Sequence, residues 1–474
     1  MKSKRGDIMG GGRPAEAAAE APPLWLQKRL EWFMDLRFGL FIHWGPYCQW
    51  DCCESWPLVP ADTWARPDSL KCWVERRKEL ARFTRDYWAL NRTFNPTGFD
   101  ADAWAATAER AGMRYITFTT KHHDGFCMFD TATTDYRITH SDCPFHASPR
   151  ANVTREVFNA FRRKGMAISC YFSKSDWHSP YYWSPDTPPV DRNPNYDTLK
   201  DPARWSRFVA FVHRQVEELM TGYGRVDALW LDGGQVRPPA QDIQMARLAA
   251  MARTHQPGLI MVDRTVGGAY ENIITPEQSI PEQPLHAAWE SCLTLGDHWK
   301  FVPDDRYKSA CDVVHVLIET AAKGGNLLLG VGPDPEGRIP PRAEAILAEI
   351  GRWLRTCGDA IYGSRPVYPY LSGPGIRFTR KGEHTYAFVL RPPDGQDYPR
   401  RVRLEGCQAK PGSAVELLNA SVPVAWEAGE NSLSVEVPHG CAADPALVYK
   451  FESNDWLSYH TPRYGTTGNR NKET

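Results

Sequence analysis

The amino-acid sequence predicts an α/β fold, namely a (β/α)8-like barrel of the TIM type followed by a C-terminal antiparallel β-sandwich domain. Three observations predict it. The chain has 474 residues, more than one compact domain usually holds. Short apolar runs alternate with amphipathic stretches over most of the chain. After residue 358, short β-rich segments separated by Pro, Gly and Asp follow instead.

Six apolar runs are predicted to be strands of the barrel. Their nearly continuous hydrophobicity is typical of strands that are buried on both faces. The runs cover residues 38–44, 115–120, 166–173, 228–232, 259–263 and 326–331. Amphipathic stretches at 100–111, 203–219 and 310–322 predict helices between them. The alternation favours the common eight-stranded barrel, of which two strands are not located in the sequence.

The β-sandwich is predicted from short segments spaced by turn residues. They cover residues 385–390, 401–404, 414–418, 432–437 and 446–451. We therefore expect a flexible leader at 1–23, a catalytic barrel at 24–358, a β-sandwich domain at 359–456 and a polar tail at 457–474.

Charge and composition exclude several classes of partner. The formal net charge is -1, so no global field draws the chain to nucleic acid or to an anionic membrane. No apolar stretch is long enough to span a bilayer. The basic start lacks the apolar segment of a signal peptide, so we expect a cytoplasmic protein as written, or a periplasmic or secreted one if a leader was lost. The 18 Trp residues suit sugar binding, although core packing explains most of them.

One group of cysteines invites a metal hypothesis. Cys48, Cys52 and Cys53 lie close together, but no nearby His or fourth Cys completes a tetrahedral site. Reduced cysteines without a metal are the simpler interpretation.

Polar residues at the carboxyl ends of barrel strands are the first candidates for chemistry, because active sites of such barrels form there. Asp232 ends the run at 228–232 and precedes two glycines, so it is either a nucleophile or a cap of the following helix. His122 and His123 follow the run at 115–120 and suit sugar hydroxyl groups. Together with His43 they are also candidate metal ligands, although no metal-binding spacing is present.

Four motifs occur in order along the chain: FIHWG at 41–45, KHHDGF at 121–126, LWLDGG at 229–234 and DR at 263–264. With the C-terminal β domain, they resemble glycoside hydrolase family 29, the α-L-fucosidases, over about residues 30–450. The resemblance implies a barrel followed by a β-sandwich, and a retaining exo-hydrolase acting through a covalent fucosyl-enzyme. It implies fucosylated oligosaccharides or glycoconjugates as substrates, and no metal or organic cofactor. Whether the chain forms a homo-oligomer is left open.

The resemblance also implies roles for individual residues. Asp232 matches the nucleophile, and Ser55 interrupts the Glu-Trp pair to which Glu54 would belong. The segment HWKF at 298–301 departs from the SWGY of many relatives, which leaves the pocket wall open on that side. The residues that match the sugar-binding set are His43, Trp44, Glu54, His122, His123, Tyr171 and Trp230.

Retention requires a second carboxyl group, and two glutamates match the family's general acid/base. Glu277 lies in ITPEQ, and Glu290 lies in AWESC. We favour Glu290, because Trp289 offers an apolar wall that would raise the pKa of its carboxyl group. Arg264 is a fixed cation that can hold a carboxylate near either candidate.

Three other functions compete with this interpretation. Another barrel glycosidase would share the carboxylate pair, although the paired histidines favour fucose. A non-catalytic carbohydrate-binding protein would have lost Asp232 or every acid candidate, and all are present. A metal-dependent hydrolase using His43, His122 and His123 would be inhibited by chelators.

Overall fold

The structure is a computed structural model that describes residues 22–393, 396–441 and 443–453. The predicted tail at 457–474, and all but the last two residues of the predicted leader, lie outside these ranges. Among the helices within them, none has both the length and the apolar character that crossing a bilayer requires.

Seven parallel strands form the larger sheet, and almost every residue in them is buried. The strands are β1 (Phe38–Ile42), β2 (Tyr115–Lys121), β3 (Ala167–Ser173), β4 (Ala228–Asp232), β5 (Ile260–Asp263), β6 (Glu290–Thr294) and β7 (Asn326–Val331). They lie in the order β5-β4-β3-β2-β1-β7-β6. Each of the six predicted runs matches one of these strands to within two residues at either end, and β6 is the strand that the sequence did not reveal.

The two outer strands, β5 and β6, are joined through an irregular segment rather than directly. Glu271 pairs with Val262 in β5, while Glu277 pairs with Cys292 in β6. The structure thus describes a curled sheet of seven strands, not the eight that the sequence predicts. The segment between β5 and β6 carries Glu277 to the same edge of the sheet as the ends of the other strands.

Nine α-helices lie within the described ranges, and the longer ones turn an apolar face to the sheet. On α5, for example, Val157, Phe158 and Phe161 are buried, while the opposite face carries arginines. The helices are α1 (Leu24–Leu36), α2 (Lys71–Glu75), α3 (Leu80–Trp88), α4 (Ala101–Arg110), α5 (Val153–Arg163), α6 (Pro202–Gly222), α7 (Met245–His255), α8 (Ala310–Ala322) and α9 (Pro341–Cys357).

Two antiparallel sheets form the C-terminal β domain. One has the order β13-β12-β16-β10-β9-β8 and the other β11-β15-β14. Side chains from both sheets, such as Val389, Leu404, Leu433 and Tyr449, pack into one apolar cluster. The strands are β8 (Arg365–Ser372), β9 (Ile376–Lys381), β10 (His384–Leu390), β11 (Arg401–Glu405), β12 (Glu416–Leu417), β13 (Val422–Pro423), β14 (Trp426–Ala428), β15 (Ser432–Glu436) and β16 (Ala446–Glu452). The predicted α/β fold with a C-terminal β domain is confirmed at this level.

Candidate active site

Asp232 is the last residue of β4, and four groups surround its carboxylate. Tyr171, at the end of β3, donates its hydroxyl to Oδ2 at 2.8 Å, and the backbone N–H of Gly233 donates to Oδ1 at 2.8 Å. Arg264 Nη1 lies 3.3 Å from Oδ1, and His123 Nε2 lies 3.7 Å from Oδ2. This carboxylate faces the centre of the sheet edge and does not cap a helix.

The electrostatic surroundings of Asp232 favour its ionised form. Burial alone would raise the pKa of this carboxyl group, but Arg264 and His123 oppose it, as do the hydrogen bonds from Tyr171 and Gly233. The net result is a pKa well below the usual value of an aspartate. Asp232 is therefore an anion over the whole physiological pH range.

Glu277 shares the guanidinium of Arg264 with Asp232. Arg264 Nη2 contacts Glu277 Oε2, while its Nη1 reaches Asp232 and its Nε donates to Thr275 Oγ1 at 3.2 Å. The fork of the arginine thus sets the two carboxyl groups beside each other. The side chain of Glu277 is 40% exposed, so it lies at the mouth of the site while Asp232 lies deeper.

Glu290 lies elsewhere, which argues against the preference for it as the acid. It is the first residue of β6, at the amino end of the strand, whereas Asp232 is at the carboxyl end of β4. It accepts hydrogen bonds from Tyr115 Oη at 2.5 Å and Trp230 Nε1 at 3.2 Å, and it is only 1% exposed. Burial raises its pKa to about 7, and both of its oxygens are already engaged by Tyr115 and Trp230.

Trp230 separates Glu290 from the candidate site. Its ring stacks on Tyr171 with 5.3 Å between centroids, and the guanidinium of Arg264 lies 5.1 Å from the ring centroid. The indole N–H points to Glu290. Tyr171 and Trp230 therefore form an aromatic floor, above which lie Asp232 and Arg264.

Three histidines line the other side of the site, and each is fixed differently. His122 Nδ1 lies 2.7 Å from Ser55 Oγ, and His123 Nδ1 lies 2.6 Å from Ser173 Oγ. His43 Nδ1 is buried and has no hydrogen-bond partner within the described residues. A buried polar atom without a partner is costly, and a ligand hydroxyl would satisfy it.

All three imidazoles are neutral at physiological pH. Burial lowers the pKa of His43 to about 3 and that of His123 to about 4, and it lowers the pKa of His122 as well. A neutral imidazole both donates and accepts hydrogen bonds, which suits the hydroxyl groups of a sugar.

Glu54 reaches the same region from the loop after β1. Its Oε1 accepts a hydrogen bond from the backbone N–H of Lys300 at 3.2 Å, and the residue has a positive φ of 27°. Burial raises the pKa of its carboxyl group, with Glu277 adding to this effect and with Lys300 and His298 opposing it. A strained backbone at a buried acid is typical of functional positions.

Trp44 does not join the other candidates. Its indole donates to the carbonyl of Asp334 at 3.0 Å, and its ring packs against Phe94, Phe99 and Trp104. These contacts hold Trp44 in an aromatic cluster of the core, which argues against the expectation that it binds sugar. The adjacent His43 faces the site, whereas Trp44 faces the core.

Sequence reasoning missed several aromatic walls of the site. The ring of Trp299 lies 4.9 Å from that of His43, while the rings of Trp56 and Trp177 lie 4.9 and 5.3 Å from that of His123. Trp299 lies in the HWKF segment, and Trp56 follows Glu54 by two residues. The position of Trp56 and Trp299 close to motif residues in the sequence was the signal that could have predicted their place in the site.

The metal hypotheses find no support in the ranges that the structure describes. There, no cluster of three or more His, Cys, Asp or Glu side chains could hold a metal ion. None of Cys48, Cys52 and Cys53 forms a disulfide within those ranges.

Comparison with known proteins identifies the family. The family model described as alpha-L-fucosidase matches residues 15–359, which is more than half of the chain. The chain belongs to the alpha-L-fucosidase family. The predicted resemblance to this family of glycoside hydrolases, family 29, is confirmed.

Individual members of the alpha-L-fucosidase family match most of the chain. Alpha-L-fucosidase isoenzyme 1 from Paenibacillus thiaminolyticus has a TM-score of 0.74 and 31% identity, covering 91% of this chain and 100% of its own. The alpha-L-fucosidase of Dictyostelium discoideum is 25% identical, covering 90% of this chain and 92% of its own. A family 29 alpha-L-fucosidase from Bacteroides thetaiotaomicron shares the fold, with a TM-score of 0.72 at 22% identity, covering 93% of this chain and 98% of its own. That structure is a trapped covalent intermediate with 2-fluoro-fucosyl fluoride, obtained with a glutamate-to-glutamine mutant.

Proposed function

We propose that this protein is a retaining exo-α-L-fucosidase that removes terminal α-linked L-fucose from oligosaccharides or glycoconjugates. The observation that carries the proposal is the contact of one guanidinium, that of Arg264, with the carboxylates of both Asp232 and Glu277. Retaining glycosidases use two carboxyl groups about 5–5.5 Å apart. Two oxygens held by the fork of one arginine fit that close spacing.

Asp232 is the proposed nucleophile. It is ionised and carries hydrogen bonds from Tyr171 and Gly233 that fix its orientation. It attacks the anomeric carbon of the fucosyl group, so that a carbon–oxygen bond to Asp232 forms as the bond to the leaving oxygen breaks. The trapped covalent intermediate of the Bacteroides thetaiotaomicron relative supports this route.

Glu277 is the proposed general acid and then general base. In the first step it transfers its proton to the leaving oxygen, and in the second it removes a proton from the water that attacks the fucosyl-enzyme. Once Asp232 is esterified, Glu277 is the carboxylate that still contacts Arg264 among the described site residues, so the arginine keeps it in place for the second step.

We propose that neutral hydrogen-bond donors and acceptors bind the sugar. We infer that His43, His122 and His123 bind fucose hydroxyl groups, and that the unsatisfied Nδ1 of His43 is one of the recognition atoms. Tyr171 and Trp230 form the floor, and Glu54 is the acidic group on the wall. A neutral sugar needs no cation for recognition, which agrees with the absence of a net positive field.

The eight-stranded barrel remains part of the proposal. The segment between β5 and β6 pairs with both strands, through Glu271 and Val262 on one side and through Glu277 and Cys292 on the other. We infer that this segment takes the place of the eighth strand.

A panel of aryl glycosides and natural fucosylated oligosaccharides tests the function. We expect turnover of α-L-fucosides alone, with α-L-fucose as the first anomer seen by NMR. Preferential turnover of another glycoside, or initial release of the β anomer, would contradict the proposal.

A further inference from the structure

The leaving group of a glycoside lies beside the acid that protonates its oxygen. If Glu277 is that acid, the side chains next to it at the mouth of the site meet whatever carries the fucose. This inference therefore rests on the proposed function.

The loop that follows β6 borders Glu277. Gln278, the next residue in the chain, donates its Nε2 to Thr294 Oγ1 at 3.2 Å, and Thr294 is the last residue of β6. Further along the loop, the backbone N–H of Lys300 donates to Glu54. The loop thus runs from the side of Glu277 to the side of Glu54, across the mouth of the site.

Asp305 connects two parts of this loop through hydrogen bonds. Its buried Oδ1 accepts hydrogen bonds from the backbone N–H groups of Asp297 at 3.1 Å and Arg306 at 2.9 Å. A Cβ atom at Gly296 would lie 2.1 Å from Asp305 Oδ2, so the backbone approaches the carboxylate too closely for any side chain there. The backbone of the loop therefore packs closely against the carboxylate of Asp305.

His298 is a partly exposed side chain of this loop and lies two residues before Lys300. Its Nδ1 lies 3.3 Å from Asp305 Oδ1, and its side chain is 38% exposed. Its Nε2 has no hydrogen-bond partner in the part of the chain that the structure describes. The influence of both His298 and Glu277 on the pKa of the buried Glu54 agrees with their position around one opening. The ring is oriented by a carboxylate on one nitrogen, which leaves the other nitrogen for a ligand.

We propose that His298 is a leaving-group-binding residue whose Nε2 forms a hydrogen bond with a hydroxyl group of the sugar to which fucose is attached. The site would then select saccharide leaving groups over leaving groups that lack hydroxyl groups. Asp305 acts through His298 as a positioning residue, because it fixes both the ring and the loop.

The test compares substrates with and without a sugar leaving group. We would measure kcat/KM for α-L-fucosyl disaccharides of several linkages and for α-L-fucosyl fluoride, whose leaving group has no hydroxyl. For His298→Ala, the ratio of kcat/KM for the best disaccharide to that for the fluoride should fall about tenfold, the effect of one lost hydrogen bond. His298→Gln, which retains a donor and an acceptor, should recover part of the ratio.

A matched control is available on an outer helix. His255 on α7 is also paired with a carboxylate, that of Glu217 at 4.0 Å, and its side chain is 36% exposed. His255→Ala should leave the ratio within twofold of wild type. The same result for His298→Ala would overturn this inference while leaving the proposed function intact. If wild type hydrolysed neither the fluoride nor any disaccharide, the proposed function itself would fail, and this inference with it.

Discussion

Replacing Glu290 by glutamine tests whether this carboxyl group is a buried structural acid or the proton donor of the reaction. Burial raises its pKa from 4.5 to about 7. Between pH 4.5 and about pH 7, Glu290 is protonated in the folded protein and ionised in the unfolded chain. The contribution of protonated Glu290 to the free energy of unfolding is therefore fully present below pH 4.5 and is lost as the pH rises through about 7. With about 1.36 kcal/mol for each pKa unit, the loss amounts to about 3 kcal/mol.

Glutamine has nearly the same shape and never ionises, so Glu290→Gln should remove this pH dependence. The melting temperature of the variant should match wild type near pH 5 and exceed it by about 5 °C near pH 8. Differential scanning calorimetry across this range measures the effect. Glu349→Gln, at an exposed position on α9, is the control. The difference between its melting temperature and that of wild type should not change with pH.

Kinetics of the same variant give the decisive comparison. Because Glu290 is enclosed beneath Trp230, Glu290→Gln should keep turnover of fucosides with poor and good leaving groups within about tenfold of wild type. A loss confined to poor leaving groups and rescued by azide would refute this reasoning, as would a melting difference that does not change with pH.

Three further changes probe the residues around Asp232. Glu277→Ala should lower kcat/KM by about 10²–10⁴ for poor leaving groups, and far less for activated aryl fucosides, with rescue by azide; equal losses for both classes would remove Glu277 from the acid role. Tyr171→Phe removes the hydrogen bond to Asp232 Oδ2, so kcat for an aryl fucoside should fall about tenfold at an unchanged melting temperature, and an unaltered kcat would exclude this positioning role. Arg264→Lys retains the charge but cannot reach both carboxylates, and a loss of about 100-fold in kcat is expected; activity near wild type would mean that the shared guanidinium is dispensable.

Most of the strand framework could be predicted from the sequence, because buried parallel strands are continuous apolar runs. Strand β6 was the exception. Its sequence, ESCLT, begins with a glutamate and contains two hydroxyl side chains, so no apolar run marks it. Tyr115 and Trp230 donate to Glu290, while the hydroxyl groups of Ser291 and Thr294 donate to the carbonyls of Ser279 and Gly296. The partners of Glu290 are distant in the sequence and are not visible in a local pattern.

The missed strand explains the preference for Glu290. Without β6, both glutamates lay in an unassigned region after the fifth strand, and only local chemistry distinguished them. A residue that begins a parallel strand lies at the opposite edge of the sheet from one that ends a strand. The apolar environment expected for Glu290 exists, but it lies at the wrong end of the sheet.

Alternation along a strand could not have placed Trp44, because the residues in question follow the strand ends. His43 and Trp44 face different sides after β1, whereas the adjacent His122 and His123 both line the site after β2. Asp232, the histidines and Arg264 were found because each ends or follows an apolar run, whereas Tyr171 was assigned through the family resemblance alone. Trp56 begins a 3-10 helix of three residues and Trp299 lies in a loop, and in such short segments no period predicts which side chains face a site.

Covalent labelling tests the proposed mechanism most directly. Incubation with 2-fluoro-α-L-fucosyl fluoride should inactivate the protein with time, and mass spectrometry of its peptides should find one fluorofucosyl group on the peptide that contains Asp232. Asp232→Ala should remain unlabelled. A label on the peptide that contains Glu277, or hydrolysis of fucosides by an enzyme that never becomes labelled, would contradict the assignment of Asp232 as the nucleophile.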